Sequence, residues 1–128
     1  QMCIRDSFMY SYEDALIDLS RYETIVLING GTASAAEIIA GSMEDYFPGT
    51  VHLLGEKTYG KGSVQQVIAL PGGSGLKYTT AKWFTGRHRV GIDGTGISPE
   101  YEIPFREDLW EQGIDVQLEA AKILDVKK

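Results

Sequence analysis

A chain of 128 residues, 43% of them hydrophobic, is long enough for one domain with a real core. Its formal net charge of −6 argues against a nucleic-acid backbone or an anionic membrane surface as the main partner, and no apolar run approaches the length of a membrane-spanning helix. The single cysteine, Cys3, excludes an internal disulfide and a cysteine-based metal cluster, and His52 and His88 stand far apart without ligand spacing.

The first seven residues, QMCIRDS, continue no periodic pattern and resemble no export signal. They read as a leader foreign to the fold, which leaves residues 8–128 as the folded part. FMYSYEDALIDLSRY comes next, with Leu16, Ile17 and Leu19 among acids, and suggests a short helix or an irregular lead-in. ETIVLIN is an apolar, β-rich run, expected as a buried strand ending at Gly30 and Gly31. SAAEIIAGSMEDYF places Ile38, Ile39, Met43, Tyr46 and Phe47 on one side of an amphipathic helix stopped by Pro48 and Gly49. VHLLGE, SVQQVIAL, KYTTAKWFT and EYEIP read as strands joined through glycine-bearing connections, and DVQLEAAKIL as a closing helix. The result is an α/β domain in which a strand feeds a helix through a tight glycine turn.

Two stretches carry chemistry. GEKTYGKGSVQ contains all but the last position of a phosphate-cradling G-x-x-x-x-G-K-[ST] loop, but Gly62 stands where a hydroxyl is needed for Mg²⁺. A strand rather than a helix is predicted after it, so no helix N-terminus points at an anion. In NGGTASAAE, Ser34 sits where strand becomes helix, with Glu37 three residues on and on the same face. That pattern is a capping box, in which Ser34 bonds a free backbone N–H and Glu37 reaches back. It also suits acyl transfer, because backbone N–H groups at a helix start stabilise an oxyanion. A nucleophilic serine needs a base, and Lys61 is the candidate, as in Ser–Lys variants of the catalytic triad. A free lysine titrates near 10.4, so reaching about 8 requires about 3 kcal/mol of bias, which burial supplies. Flanking glycines permit close backbone approach, Tyr59 and Val64 offer an apolar wall, and on an extended segment Ser63 and Gln65 share the face of Lys61. The alternative for Lys61 is a solvated turn lysine.

NGGTASAAEIIAG, GEKTYGKGSVQ, LKYTTAKWFTGRHR and GTGISPEYEI, in this order and spacing, resemble the carboxyl-terminal (tail-specific) processing proteases, a Ser/Lys peptidase family. The resemblance runs from about Glu23 to the end. It implies that Ser34 is the nucleophile, Lys61 its general base, Gln65 and Glu37 supporting polar residues, and the N–H of Ala35 one oxyanion donor. The implied fold is the ClpP/crotonase type, with stacked β-β-α units, of which this chain holds the later part; an upstream core half and a PDZ module complete the family pattern. The implied function is endoproteolysis near the C-termini of protein substrates through an acyl-enzyme, without metal or organic cofactor. The implied location is the bacterial periplasm or cell envelope, or a plastid lumen. Any membrane association would come through upstream segments. By itself the chain is expected to be a weak protease, prone to self-association as a homo-oligomer through uncovered apolar faces. A non-catalytic peptide- or ligand-binding relative of the same fold is the alternative reading.

Overall fold

The computed structural model describes residues 19–86 and 90–124. Cys3, most of the predicted lead-in and His88 lie outside the described residues. After a 3₁₀ turn at Leu19–Arg21, strand β1 (Thr24–Ile28) leads into helix α1 (Ala35–Tyr46), which returns to strand β2 (Val51–Gly55). β2 pairs parallel with β1, Thr24 opposite Val51 through Ile28 opposite Gly55. A parallel pair needs such a crossover, and the twelve-residue helix supplies it. The short strand β7 (Tyr101–Glu102) adds in parallel to the other edge of β2, giving the order β1-β2-β7.

All five residues of β2 are buried, as its central position requires. Leu53 and Leu54 project to opposite faces, and both have 0% exposure, so both faces of the strand are covered. Ala40 of α1 packs with Ile28 and Leu53 in the core cluster, bordered by Val26 and Ile97. Helix α3 (Val116–Ile123) packs against β1 and β2, capped by the Asp115 carboxylate, which accepts from the N–H groups of Gln117 and Leu118. Each fully buried aliphatic side chain contributes about 1.5–3 kcal/mol.

Two expectations are corrected. The sequence predicts ETIVLIN as the buried strand, yet β1 is an edge strand with Leu27 40% exposed, and β2 takes the buried place. The buried stripe of α1 runs through Glu37, Ala40 and Gly41, whereas Ile39 and Tyr46 are exposed. Small residues win that face because the helix lies close to its neighbours. A Cβ on Gly41 would stand 2.9 Å from Ile97 Cδ1 and 3.0 Å from Thr85 Oγ1.

β3 (Ser63–Ala69) and β4 (Gly75–Lys82) form an antiparallel hairpin that pairs only with itself, and every β4 residue is exposed. Its base is pinned by the Trp83 N–H on the Gly62 carbonyl at 2.7 Å. Beyond it, β5 (Phe84–Thr85) and β6 (Val90–Gly91) pair antiparallel, and a four-residue helix α2 (Glu107–Trp110) precedes α3. Neither β6 nor α2 is foreseen in the sequence, since both are too short to set up a period.

His52 fills a packing role inside β2. It is 7% exposed, its Nδ1 lies 2.7 Å from Glu100 Oε2, and its Nε2 is 3.8 Å from Glu23 Oε2. The group therefore ties the sheet edges together rather than sitting at the surface. Nearby Glu44 is pushed above its usual range, by burial first and then by the charges of Glu100 and Asp45, with His52 opposing.

The loop between β2 and β3 sets Lys61 between two glycines that have no room for a side chain. Gly60 has φ 87° and faces the Gly96 backbone, and a Cβ on Gly62 would stand 2.3 Å from the Asp93 amide nitrogen. Backbone cannot yield as a flexible side chain can. Gly62→Ala is therefore expected to destabilise the protein by about 1–3 kcal/mol, seen as a lower urea midpoint with unchanged slope. An unchanged midpoint would show that the 92–96 loop moves away freely.

Candidate active site

The turn out of β1 is built by Asn29 and Thr32. The Asn29 carboxamide oxygen accepts from the Gly31 N–H at 2.9 Å, and the Asn29 N–H donates to Thr32 Oγ1 at 3.0 Å. This turn delivers Ser34 as the N-cap of α1 with φ 57° and ψ −119°. Among the described residues it is the only non-glycine with positive φ. N-caps ordinarily lie in the β region, and a side chain held at positive φ stores about 1–3 kcal/mol. Such a strained strand-to-helix turn is how α/β-hydrolases thrust a nucleophile out of the fold. Ser34 and Glu37 take the capping-box arrangement, the Ser34 side chain facing the Glu37 N–H and the Glu37 carboxylate accepting from the Ser34 N–H.

Glu37 has 0% exposure, and its carboxylate is saturated. Oε1 accepts from Thr58 Oγ1 at 2.5 Å and from the Gly60 N–H at 2.7 Å. Oε2 accepts from the Lys61 N–H at 2.8 Å and from the Ser34 N–H at 2.9 Å. One side chain thus holds the backbones of Ser34 and Lys61 on a single oxygen. Burial raises the Glu37 pKa, but the Thr58 hydroxyl and the N–H groups of Gly60, Lys61 and Ser34 outweigh it, so the carboxyl sits below its ordinary range. Its place in the first turn of α1 adds a favourable helix dipole. Thr58 Oγ1 is itself fixed by accepting from the Ile97 N–H at 2.7 Å, and the Tyr59 N–H bonds the Thr32 carbonyl at 3.0 Å.

Ser34 and Lys61 line one open cleft of about 360 Å³, together with Ser63, Val64, Gln65, Lys77 and Trp83. An adjoining recess of about 460 Å³ shares Lys61, Ser63, Gln65 and Lys77 and adds Ala33 and Tyr59. Among the described residues no hydrogen bond joins the Ser34 hydroxyl to the Lys61 amine, although both residues line the cleft. The Ala35 N–H is likewise unbonded among the described residues, a free donor beside the serine. A larger cavity of about 470 Å³, lined by Gly41, Glu44, Asp45, Thr85 and Ile97, contains none of these groups.

Of the five residues singled out in the sequence, Ser34, Lys61 and Gln65 line this cleft, Glu37 supplies its supporting bonds, and Ala35 follows Ser34 in the chain without lining the cleft. Lys61, however, is exposed rather than buried, and Tyr59, foreseen as its apolar wall, is 69% exposed. The reason is the hairpin, which pairs with nothing else and leaves that side of Lys61 uncovered. The chain runs from Lys61 into strand β3, so the phosphate-loop reading has no helix to rest on. Sequence reasoning missed Thr58 and Lys77. Thr58 lies inside the GEKTYGKG stretch with no pattern to single it out, and Lys77 is recognised only through the strand register, which a bulge at Val64/Gln65 shifts.

Residues 5–103 match the peptidase family S41. A carboxyl-terminal-processing peptidase 2, chloroplastic, of Arabidopsis thaliana is 47% identical over 79 residues, which cover 62% of this chain and 15% of that protein. A carboxyl-terminal-processing protease of Picosynechococcus sp. is 40% identical over 100 residues, 78% of this chain and 23% of that protein. Among solved structures, a photosystem II D1 C-terminal processing protease superposes with a TM-score of 0.55 at 38% identity, covering 67% of this chain and 22% of that one. The chain spans less than a quarter of the length of each of these relatives.

Glu37→Gln tests the carboxylate hub. An amide keeps one acceptor oxygen but turns an NH₂ toward two donors, so a loss of about 2–4 kcal/mol is expected at pH 7. A carboxyl with a depressed pKa stabilises the fold above its unfolded value and loses that contribution as pH falls through the folded one. The stability gap between the Glu37 and Glu37→Gln proteins should therefore be full at neutral pH and narrow progressively once pH falls below the unfolded value of about 4.3. A gap independent of pH would remove the charged hub.

Proposed function

Starting from the fact that the chain belongs to peptidase family S41, whose similar members here are a carboxyl-terminal-processing peptidase and a carboxyl-terminal-processing protease, we propose that it forms the later part of a serine endopeptidase core that cuts protein substrates near their C-termini. Residues 8–128 carry nucleophile and base, and an upstream core half and peptide-binding module complete the enzyme. The observation that carries this reading is the single carboxylate oxygen of Glu37, which accepts from the N–H of Ser34 and from the N–H of Lys61. No structural need of a helix cap explains that second bond.

In this mechanism a substrate peptide enters the open cleft and covers the Lys61 amine, which removes water and favours its neutral form. The neutral amine accepts the Ser34 proton as Oγ attacks the scissile carbonyl. The negative oxygen of the tetrahedral intermediate is met by the free Ala35 N–H at the start of α1. Collapse expels the amine of the C-terminal fragment, which takes the proton from Lys61 and leaves an acyl group on Ser34. Water, activated by the again neutral Lys61, then hydrolyses the ester. Gln65 lies on the cleft and orients the lysine amine without adding charge. The positive φ of Ser34 marks a strained strand-to-helix turn, which presents the residue to the cleft.

By analogy with the chloroplastic and bacterial relatives, the parent enzyme works in a plastid or in the bacterial envelope. No helix among the described residues is long and apolar enough to cross a membrane.

In the full-length protein that carries this chain, Ser34→Ala and Lys61→Ala should each remove most peptide turnover, by about 10³-fold or more. Lys61→Arg should not restore it, because arginine keeps its proton. The double replacement should lose little more than either single one, since nucleophile and base act as a unit. Near-parental hydrolysis by Lys61→Ala would exclude Lys61 as the base.

A further inference from the structure

Three lysines belong to the hairpin and its base, and they are not equivalent. Lys82 is neutralised by Asp93, Nζ to Oδ2 at 3.0 Å. Lys61 and Lys77 make no ion pair among the described residues, and both line the Ser34 cleft and its adjoining recess. No aspartate or glutamate lines either one. In a chain of net charge −6 the two ammonium groups face the cleft without an acidic side chain on its lining, and the nearest carboxylate, Glu37, is buried beneath it and spent on the Thr58 hydroxyl and on backbone N–H groups.

The strand register explains why Lys77 faces this way. Gln65 lies opposite Thr79, and Lys77 is two residues from Thr79, so Gln65, Thr79 and Lys77 share one face of the hairpin. Gln66 and Tyr78 occupy the other face, joined by the Tyr78 hydroxyl donating to Gln66 Oε1 at 2.9 Å. Lys77 is therefore the diagonal neighbour of Gln65, about 7–8 Å away at the backbone and within reach of a long side chain. The Lys61 amine is committed to proton transfer in the proposed mechanism. The Lys77 amine has no such task and stands one step further along the cleft.

We propose that Lys77 is a specificity residue that reads a carboxylate on the substrate, within a few residues of the bond that Ser34 attacks. The inference rests on the endopeptidase reading for which bond is cut, but not for recognition itself. An ammonium on a flexible four-carbon stem suits a carboxylate whose position varies from substrate to substrate, and it demands no bidentate geometry. Two sources present that chemistry close to a cut made near a chain end: the terminal carboxylate of the short leaving fragment, or an acidic side chain beside the scissile bond.

The experiment uses the full-length protein and four matched fluorogenic peptides: free C-terminus or C-terminal amide, each with glutamate or glutamine beside the cut. Binding is measured by anisotropy on Ser34→Ala protein, and turnover on protein that retains Ser34. Lys77→Met should weaken binding and raise KM by about three- to fivefold for the peptides bearing the carboxylate that is read, with kcat and the uncharged peptides unchanged. Lys77→Arg should restore the preference, and Lys77→Glu should invert it toward a peptide carrying lysine at the same place. Sensitivity to the terminal amide points to the chain terminus, and sensitivity to the glutamate-to-glutamine change points to the side chain. Equal losses on charged and uncharged peptides, or no preference before mutation, would overturn the proposal. Binding discrimination without any turnover by the protein that retains Ser34 would sink the peptidase reading while upholding Lys77 as the carboxylate reader.

Discussion

The arrangement depends on one buried carboxylate. Glu37 has four hydrogen-bond donors on two oxygens and no exposed surface, and three of those donors are backbone N–H groups from two segments far apart in sequence. A buried charge is tolerable only when every lone pair is met, and here four donors converge on it. The same satisfaction fixes the relative position of Ser34 and Lys61. Removing it would release the helix start and the lysine loop together.

Around that charge the chain arranges its costs and gains in space. A serine at positive φ stores strain, and the strain is held because the Ser34 N–H is bonded to Glu37 while the Asn29–Thr32 turn fixes the approach from β1. On the lysine side, Gly60 and Gly62 let the loop lie against residues 92–96, where any side chain would collide with backbone. The rigid parts are β2, the start of α1 and this loop. The hairpin that carries Gln65 and Lys77 is the exposed part, and a two-stranded ribbon without a covering layer is marginally stable in water. The buried Glu37 network therefore sits beside an exposed hairpin.

Much of this is legible in the sequence because the relevant signals are local. The apolar runs locate β1 and β2 to within a residue or so, Pro48 and Gly49 mark the end of α1, and the Ser34–Glu37 spacing reveals the helix start. The glycines around Lys61 signal close approach, and the loop does lie against neighbouring backbone there. Tertiary facts are not legible. Which of two apolar runs becomes the central strand is decided by pairing order, and Ile39 yields the buried face of α1 to Gly41 because of what lies across from it. Glu37 resembles an ordinary cap residue, since nothing in S-x-x-E says that Thr58, Gly60 and Lys61 also bond the carboxylate. The exposure of Lys61 and the facing of Lys77 arise from an uncovered hairpin and a bulge, neither of which leaves a periodic trace.

Native-state hydrogen exchange on the full-length protein, read residue by residue by NMR, tests the Glu37 hub most directly. The amide protons of Ser34, Gly60 and Lys61 converge on that one carboxylate, whereas the amide of Gly94 bonds the Gly60 carbonyl and reports on the same loop from the other side. At a fixed neutral pH, the first three should be protected in the parent and should lose protection together in Glu37→Gln, by about tenfold or more beyond the loss that the β2 amides share through the drop in global stability. If Ser34 and Lys61 exchange independently of each other and of residue 37, the helix start and the lysine loop are not held by a common charge, and the account fails.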